Sequence, residues 1–450
     1  MAKKIHKKTS PPQTAARSRF TLTPTQQVLI ALGAFFILIL IYFFPIVFEN
    51  KVPPSTDIIA WKGNAHSILE ARKQFSYIPL WANNVFSGMP AHLISLWAPF
   101  EQPARYLIDG LAKIFTWYAV YYLIGALGMI LLMRSIGLAT IAALFSAIAF
   151  VWWPNLIGML EAGHNSKVQT IMLIPLVLYC FIRMMRRVNL LNWVLLTISF
   201  SLAVRAGHYQ IVFYLALAMA FFGIVELYRL IKEKQYAGSA IRIALVVAAL
   251  TLGTAVSAFH TLQVREYSKY TIRGGTGEEG STGLDMDYAT QWSLHPGEMY
   301  NFIIPRFWGG HSSQLYAGDA VPQVKGRVIP GYWGHMPFTS TTDYLGVTVV
   351  FFALLGIALG WRRNDVKTLT ALMGFSLLLA FGRHFPFLYR IFFEWVPFFD
   401  KFRVPTMIVV LVMFSGAALA GIGLQQLLTR LKEDDEKKLL AVVAVVFGAL

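Results

Sequence analysis

Long apolar runs recur along this 450-residue chain, and each is close to the length that a helix needs to cross a lipid bilayer. A spanning helix takes about 20 predominantly apolar residues. The first run covers residues 28–48, and others lie near 114–133, 138–156, 168–185, 190–206, 209–231, 240–262, 344–361, 367–382 and 405–428. A further run begins at Leu439. The pattern predicts an all-α polytopic membrane protein with about ten to eleven transmembrane helices.

Composition supports this class and argues against two others. Hydrophobic residues make up 56% of the chain and charged residues only 14%, whereas a soluble domain carries about 25% charged residues. The net charge of +16 alone fits a nucleic-acid partner, but the hydropathy excludes that partner and predicts contact with the lipid bilayer. The single cysteine, Cys180, excludes an internal disulfide and a zinc site built on several thiolates.

Basic residues predict the orientation of the spans. Residues 1–26 form a basic tail without an acidic residue, which indicates an uncleaved signal anchor with a cytoplasmic amino terminus. Cations then recur at every second helix end, as the positive-inside rule requires of cytoplasmic loops. They are Arg134, Arg183, Arg186, Arg187, Arg229, Lys232, Lys234, Arg242, Arg362, Arg363, Lys367, Arg430, Lys432, Lys437 and Lys438. We therefore predict a multi-pass protein of the bacterial cytoplasmic membrane.

This orientation divides the chain into segments. A transmembrane core over residues 27–262 includes a long first outer loop, 49–113. A second long extracytoplasmic segment covers 263–343, and further transmembrane helices occupy 344–450, the last of which we expect to be truncated. The aromatic stretch 385–399 is broken by Pro386 and Pro397, which favours a position in the membrane interface.

Polar residues that topology does not explain fall on the predicted outer side. They are Asp57, Glu161, His164, Lys167, Arg205, His208, Arg383, Lys401 and Arg403. Ionisable groups at membrane depth are costly and commonly functional, and this set suits carboxylates acting as bases beside cations that bind phosphate. Simpler readings stay open: Asp57 as a helix cap, Glu161 and Lys167 as an ion pair, and the two histidines as ordinary helix ends. No cofactor is predicted: the two histidines and the acids can bind a divalent metal ion, but no close metal-ligand spacing is present.

The second outer segment is rich in glycine, acids and aromatic residues. From Gly274 it reads GGTGEEGSTGLDMDYATQWSLHPGEMYNFIIPRFWGGHSSQLY, and GYWGHMPFTSTTDYLG follows. Aromatic faces beside hydrogen-bonding groups suit sugar rings, although tryptophan and tyrosine also gather at membrane interfaces. Phosphate-binding loops for nucleotides are absent from the sequence.

Several of these motifs together resemble the YfhO-like family of bacterial membrane proteins. The resemblance covers nearly the whole chain after the tail and is most specific between residues 283 and 310. The matching stretches are Asp57, PLW at 79–81, FSGMP at 86–90, EAGHNSK at 161–167, GLDMDYATQWS at 283–293, Glu298, Pro305, WGG at 308–310, YWG at 332–334, PFT at 337–339 and KFR at 401–403.

That family is similar to the GT-C glycosyltransferases, so the resemblance implies a GT-C-like membrane enzyme. It implies a polyprenyl-phosphate-linked sugar as donor, an envelope glycan, polymer or lipid as acceptor, and an inverting single displacement on the extracytoplasmic face. Asp57 then matches the catalytic base and Glu161 the second acid, although Asp57 lacks the adjacent acid that many relatives carry. Lys167, Arg205, His208 and Arg403 are expected to bind the donor phosphate, and His164, Asp285, Asp287, Trp292 and Glu298 to orient substrate.

Two other functions fit a chain of this kind. One is a transporter or flippase of lipid-linked envelope intermediates, and the other is a non-catalytic membrane scaffold. A transporter is expected to place charges near the middle of several spans and to show internal repeats. Here the unexplained polar residues gather at one face and no repeat is visible, which favours an enzyme.

Overall fold

The computed structural model describes residues 22–53, 55–75, 77, 79–95, 103–274, 283–339, 343–431 and 436–448. Most of the predicted basic tail and Lys432 therefore lie outside the described residues. The described chain is mostly helical, and its strands form two short antiparallel hairpins. The all-α class predicted from the apolar runs is confirmed.

Twelve helices and one hairpin occupy the first part of the described chain. The helices are α1 (Pro24–Tyr42), α2 (Phe44–Val47), α3 (Thr56–Asn64), α4 (His66–Phe75), α5 (Pro103–Ser135), α6 (Thr140–Val151), α7 (Pro154–Ala162), α8 (Asn165–Arg186), α9 (Leu190–Arg205), α10 (Tyr209–Lys232), α11 (Tyr236–Ala255) and α12 (Ala258–Ser268). Strands β1 (Trp81–Ala82) and β2 (Met89–Pro90) pair antiparallel within the predicted first outer loop, 49–113, which is called the first outer segment below.

The described remainder holds six further α-helices and a second hairpin. The helices are α13 (Met286–Ala289), α14 (Val347–Gly360), α15 (Asn364–Ala380), α16 (Pro386–Trp395), α17 (Val409–Arg430) and α18 (Glu436–Gly448). The hairpin pairs β3 (Gln314–Leu315) with β4 (Val328–Ile329). Short 3-10 turns lie at Ala91–Leu93, Pro296–Phe302, Pro322–Val324, Gly382–His384, Phe399–Lys401 and Pro405–Ile408.

Seven helical segments in the described part of the chain are long and apolar enough to cross a membrane. They are Pro24–Tyr42, Pro103–Ser135, Thr140–Ala162, Asn165–Arg186, Tyr209–Lys232, Tyr236–Ala255 and Pro405–Arg430, and α9 and α14 are shorter apolar helices. The chain is thus a multi-pass helical membrane protein. The count of ten to eleven spans, the sidedness and the interfacial position of α16 stay predictions.

Helix α17 lies at the centre of the carboxyl-terminal helices and is buried from Val409 to Gly423. It packs against α6, α14 and α15. A Cβ atom added at Gly356 of α14 would collide with the backbone of α17, and one added at Gly423 would collide with the backbone of α14. Small residues therefore let these two helices approach closely, as is common between membrane helices.

Helices α8 and α10 have the predicted polar cluster at one end and a group of basic residues at the other. Each begins with a residue of the predicted polar cluster, Lys167 in the first turn of α8 and His208 at the cap of α10, and each ends in basic residues. The turns around α9 are short, so α8 and α10 run in the same direction. At the basic end Arg186 and Arg229 bond the buried Glu226 at 2.7 and 3.0 Å. A helix of 22 residues is about 33 Å long, so the two clusters lie far apart.

Candidate functional site

A glycine turn between α7 and α8 brings the first part of the site together. Gly163 has φ +96°, and its N–H donates to the carbonyl of Met159, as in common helix ends. A Cβ atom at Gly163 would lie 3.0 Å from Ile58 and 3.2 Å from the Cβ of Asp57. The missing side chain therefore lets the start of α3 approach this turn closely.

A direct side-chain contact at this junction joins Asp57 and His164. His164 Nε2 lies 3.2 Å from Oδ2 of Asp57. Both side chains keep access to solvent, with 60% of Asp57 and 46% of His164 exposed. Next to them the buried Ser55 hydroxyl donates to the carbonyl of Leu160 at 3.0 Å, which ties α3 to α7. The result is an exposed carboxylate with one oxygen held in place.

The two histidines of the cluster are neutral near pH 7. Burial lowers the pKa of His164, the positive charge of the nearby Lys167 lowers it further, and Asp57 partly opposes this shift. Burial also lowers the pKa of His208 to about 3, and Lys167, His164 and Arg273 add to the effect. The Nδ1 atom of His208 accepts the N–H of Ile211 at 3.4 Å, which leaves the proton on Nε2. His208 therefore offers an uncharged donor to a ligand.

Lys167 has a carboxylate neighbour that the sequence did not single out. It interacts electrostatically with Asp343, which lies just before α14. Burial raises the pKa of Asp343 to about 6, although Lys167 and a hydrogen bond donated by Nδ2 of Asn155 favour its charged form. Asp343 and Asn155 thus join α7, α8 and the end of the second outer segment. An acid directly before an apolar run was the one available sequence signal.

Arg403 and Arg273 lie beside this cluster. The Arg403 guanidinium stands 5.6 Å from the ring centre of Tyr288 and 5.8 Å from that of Trp292, and it donates to the Tyr288 hydroxyl. Its carbonyl accepts from Nε2 of Gln210 at 2.8 Å, close to the start of α10. Burial lowers the pKa of Arg273, and Arg403 adds to the shift. Two guanidinium groups are therefore concentrated near the His208 end of α10.

Arg205 is directed toward different partners. It interacts electrostatically with Tyr121 of α5, Tyr209 of α10 and His260 of α12. Arg105 also reaches Tyr121, donating to its hydroxyl at 2.9 Å. Arg205 thus interacts with side chains of α5, α10 and α12, and its role in binding the donor phosphate stays a prediction.

Glu161 is exposed on α7, one turn before His164. Its carboxylate interacts electrostatically with the hydroxyl of Tyr42 at the end of α1. Asp57, rather than Glu161, is the acid within hydrogen-bond reach of Nε2 of His164. Glu161, the predicted second acid, is therefore near the site, but Asp57 is the acid that contacts the His164 imidazole.

Asp285 lies directly before the short helix α13, and Asp287 lies on it. Asp285 caps it, because its Oδ1 accepts the N–H of Tyr288 at 3.0 Å. Asp287 is exposed, and its carbonyl accepts from the Arg383 guanidinium at 2.9 Å. These contacts hold the segment that carries Tyr288 next to Arg403. The substrate-orienting role of Asp285 and Asp287 stays a prediction.

Glu298 is buried and serves the fold of the second outer segment. It is 1% exposed and accepts hydrogen bonds from the hydroxyl of Tyr332 and, at 3.2 Å, from the N–H of His335. Its other oxygen faces the N–H of His295 at 3.4 Å. Glu298 therefore joins two loops of this segment. Within the ranges given above, no group of three or more histidine, cysteine or acidic residues is arranged to hold a metal ion.

Three comparisons of the chain with known proteins gave no match. The chain matches no protein-family model, no curated protein and no solved structure. The likeness to YfhO-like membrane proteins therefore stays a prediction that rests on the quoted motifs. The functional argument depends on the site itself.

Proposed function

We propose that this protein is an integral membrane glycosyltransferase that moves a sugar from a polyprenyl-phosphate donor to an envelope acceptor. The observation that carries the proposal is the exposed Asp57 carboxylate, held at 3.2 Å by His164 on the turn that leads to Lys167. A fixed, accessible carboxylate suits a general base, and a neighbouring cation suits a departing phosphate. The resemblance to the YfhO-like family supports the same reaction.

The reaction needs one displacement. The oxygen of an acceptor hydroxyl attacks the anomeric carbon while its proton passes to Asp57. The bond between that carbon and the phosphate oxygen breaks, and its electron pair stays on the polyprenyl phosphate. Because phosphate is a good leaving group, no protein nucleophile takes part and the anomeric centre inverts. His164 keeps the Asp57 carboxylate oriented toward the acceptor.

The charge that develops on the leaving phosphate is offset by fixed donors. Lys167, Arg273 and Arg403 supply positive charge, and His208 supplies a neutral Nε2–H. Such donors stabilise the transition state most when they are in place before the reaction. We add Arg273 to the predicted phosphate-binding set, because it interacts electrostatically with His208, and Arg205 stays in that set as a prediction.

We assign the site to the extracytoplasmic face of a bacterial cytoplasmic membrane. The support comes from the opposite ends of α8 and α10, where Arg183, Arg186, Arg229 and Lys232 gather. Basic helix ends are typical of the cytoplasmic side. A polyprenyl-phosphate sugar reaches such a site laterally from the outer leaflet, and Asp57 lies on the first segment that leaves the membrane.

The test uses the purified chain in liposomes that contain labelled polyprenyl-phosphate sugars. The measured quantities are release of polyprenyl phosphate and transfer of label to envelope acceptors. We expect Asp57→Asn to lower the rate by about 100-fold or more, since a positioned base contributes that much. Asp319→Asn is the matched control, because Asp319 is an exposed acid paired with Lys325 in the second outer segment. Full activity of Asp57→Asn would remove Asp57 as the base.

The same liposomes separate the enzyme from a transporter. A flippase moves the labelled lipid between leaflets with its sugar–phosphate bond intact, whereas a transferase breaks that bond. Movement without cleavage in the wild-type protein would therefore favour the transporter. A scaffold would show neither activity.

A further inference from the structure

A cationic groove lies between α3 and α4, away from the Asp57 end of α3. Its volume is about 480 Å³, and its lining includes Trp61, Lys62, His66, Glu70, Arg72 and Lys73. Lys62 is five residues beyond Asp57, which corresponds to roughly 7.5 Å along a helix. The groove therefore opens next to the candidate site without containing its residues.

Charge in the groove favours an anionic ligand. Lys62, Arg72 and Lys73 oppose the single acid Glu70, and Lys73 already bonds Glu70 at 2.9 Å. The Nε atom of Arg72 is buried and has no hydrogen-bond partner among the described residues. Arg72 also lines the groove, so its guanidinium has donor capacity there that no described residue uses through Nε. A phosphate group supplies both the negative charge and the acceptor oxygens.

The walls of the groove are held in place before any ligand binds. The indole N–H of Trp61 donates to the carbonyl of Ile94 at 2.7 Å. Asn84 accepts from the Ser67 hydroxyl at 2.6 Å and donates to the carbonyl of Asn64 at 3.3 Å, which fixes the turn between the helices. Ile68 of α4 is fully buried in a small core of this segment. The groove is therefore preformed.

Exposed apolar side chains follow the groove along the chain. Phe75, Leu80 and Trp81 are 56%, 73% and 56% exposed, and Phe86 is 89% exposed. In a helical membrane protein, exposed aromatic residues beside lysine and arginine mark a segment that lies in the bilayer interface. Phosphate groups of lipids occupy that layer, and anionic lipids attract basic residues there.

We propose that the groove between α3 and α4 binds the phosphate headgroup of an anionic phospholipid and thereby seats the first outer segment on the membrane. Lys62 and Arg72 contact the phosphate, Trp61 forms a fixed wall, and the exposed aromatic residues enter the interface. This binding does not depend on the proposed transferase activity. It anchors α3, and with it Asp57, at the level of the lipid headgroups.

The test measures the rate at which an amine-acetylating reagent modifies individual lysines of the full chain in neutral detergent. Phosphatidylglycerol, phosphatidylcholine or inorganic phosphate is added, and mass spectrometry follows Lys62 and Lys73. Lys269 is the matched control, because its pair with Glu266 at 2.7 Å has the same i,i+3 spacing as the pair of Lys73 with Glu70. We expect phosphatidylglycerol alone to slow Lys62 and Lys73 selectively.

A double variant, Lys62→Gln with Arg72→Gln, tests the groove itself. It is expected to weaken phosphatidylglycerol binding by about 30-fold, from the usual attraction of two basic residues to an anionic lipid surface. Acetylation of Lys73 reports this loss, and unchanged acetylation of Lys269 reports an intact fold. Equal protection of Lys62 and Lys269, or unchanged affinity in the double variant, overturns the proposal. Protection by inorganic phosphate at the same concentration overturns the assignment to a lipid.

Discussion

His164 Nε2 lies 3.2 Å from Oδ2 of Asp57 and so joins the turn between α7 and α8 to the first turn of α3. Burial and the nearby Lys167 lower the pKa of His164, so its imidazole is neutral, and its Nε2–H donates a hydrogen bond to Asp57 without adding a positive charge. The contact therefore orients the Asp57 carboxylate without placing a positive charge beside it. This makes His164 a positioning residue for the proposed base.

Replacing His164 separates positioning from folding. We expect His164→Ala to lower kcat by about 10- to 100-fold with little change in KM, because a misplaced base slows the chemical step without weakening donor binding. His164→Gln keeps an N–H donor and should restore most of the rate. Steady-state transfer kinetics of the two variants provide the measurement. Equal kcat values for alanine, glutamine and wild type would mean that the contact has no part in the reaction.

Replacing Gly163 is expected to lower stability and the transfer rate for two reasons, backbone strain and close contact with α3. Alanine at φ +96° is strained by about 1–2 kcal/mol, and its Cβ would also press on Ile58 and Asp57 at 3.0–3.2 Å. Gly137→Ala is the control, since Gly137 has φ +93° with nothing within 4 Å of an added Cβ. We expect both variants to lower Tm, and we expect Gly163→Ala to lower the transfer rate more than Gly137→Ala does. Matching losses of Tm and rate in both variants would show that the close approach of α3 is unimportant.

The fold followed closely from the apolar runs. The run near 209–231 became α10 (Tyr209–Lys232), because apolar length alone specifies a membrane helix. The grouping of Asp57 with His164 and Lys167 was also predictable, since all three lie at helix ends on the same predicted side of the membrane.

The detailed partners could not be read from the sequence. Asp343 interacts with Lys167, and Arg273 acts on His208, only because the second outer segment folds back onto the ends of α8 and α10. Arg205 looked equivalent to His208 by position. Its interactions with Tyr121 of α5 and His260 of α12 depend on tertiary packing that no local sequence pattern encodes.

The two shifted groups in the site predict opposite dependences of stability on pH. The folded pKa of His208 is about 3, below its ordinary value of 6.5, so its contribution is complete above pH 6.5 and is lost as the pH falls toward 3. The folded pKa of Asp343 is about 6, above its ordinary 3.8, so the folded state binds the extra proton and loses stability as the pH rises from about 4 to 6.

Thermal unfolding of two variants between pH 4 and 7 tests these signs. Compared with wild type, His208→Asn should lose less stability on acidification, because the unfolded state no longer gains this proton. Asp343→Asn should lose more, because the opposing contribution is gone. Each slope differs from wild type by at most about 1.4 kcal/mol per pH unit, the value for one proton. Parallel Tm profiles for all three proteins would show that neither group titrates differently on folding.

Arg403 is expected to act through the shape of its guanidinium as well as its charge. Arg403→Lys keeps the cation but loses the planar contact with the rings of Tyr288 and Trp292, at 5.6 and 5.8 Å, and the hydrogen bond to the Tyr288 hydroxyl. Stacked cations contribute about 0.5–2 kcal/mol each, so a poorly placed lysine should raise the KM for the lipid-linked donor by about 5- to 10-fold. Arg327→Lys, at an exposed position, is the control. An unchanged KM in Arg403→Lys would exclude Arg403 from the donor phosphate site, while a changed kcat alone would place it in the chemical step.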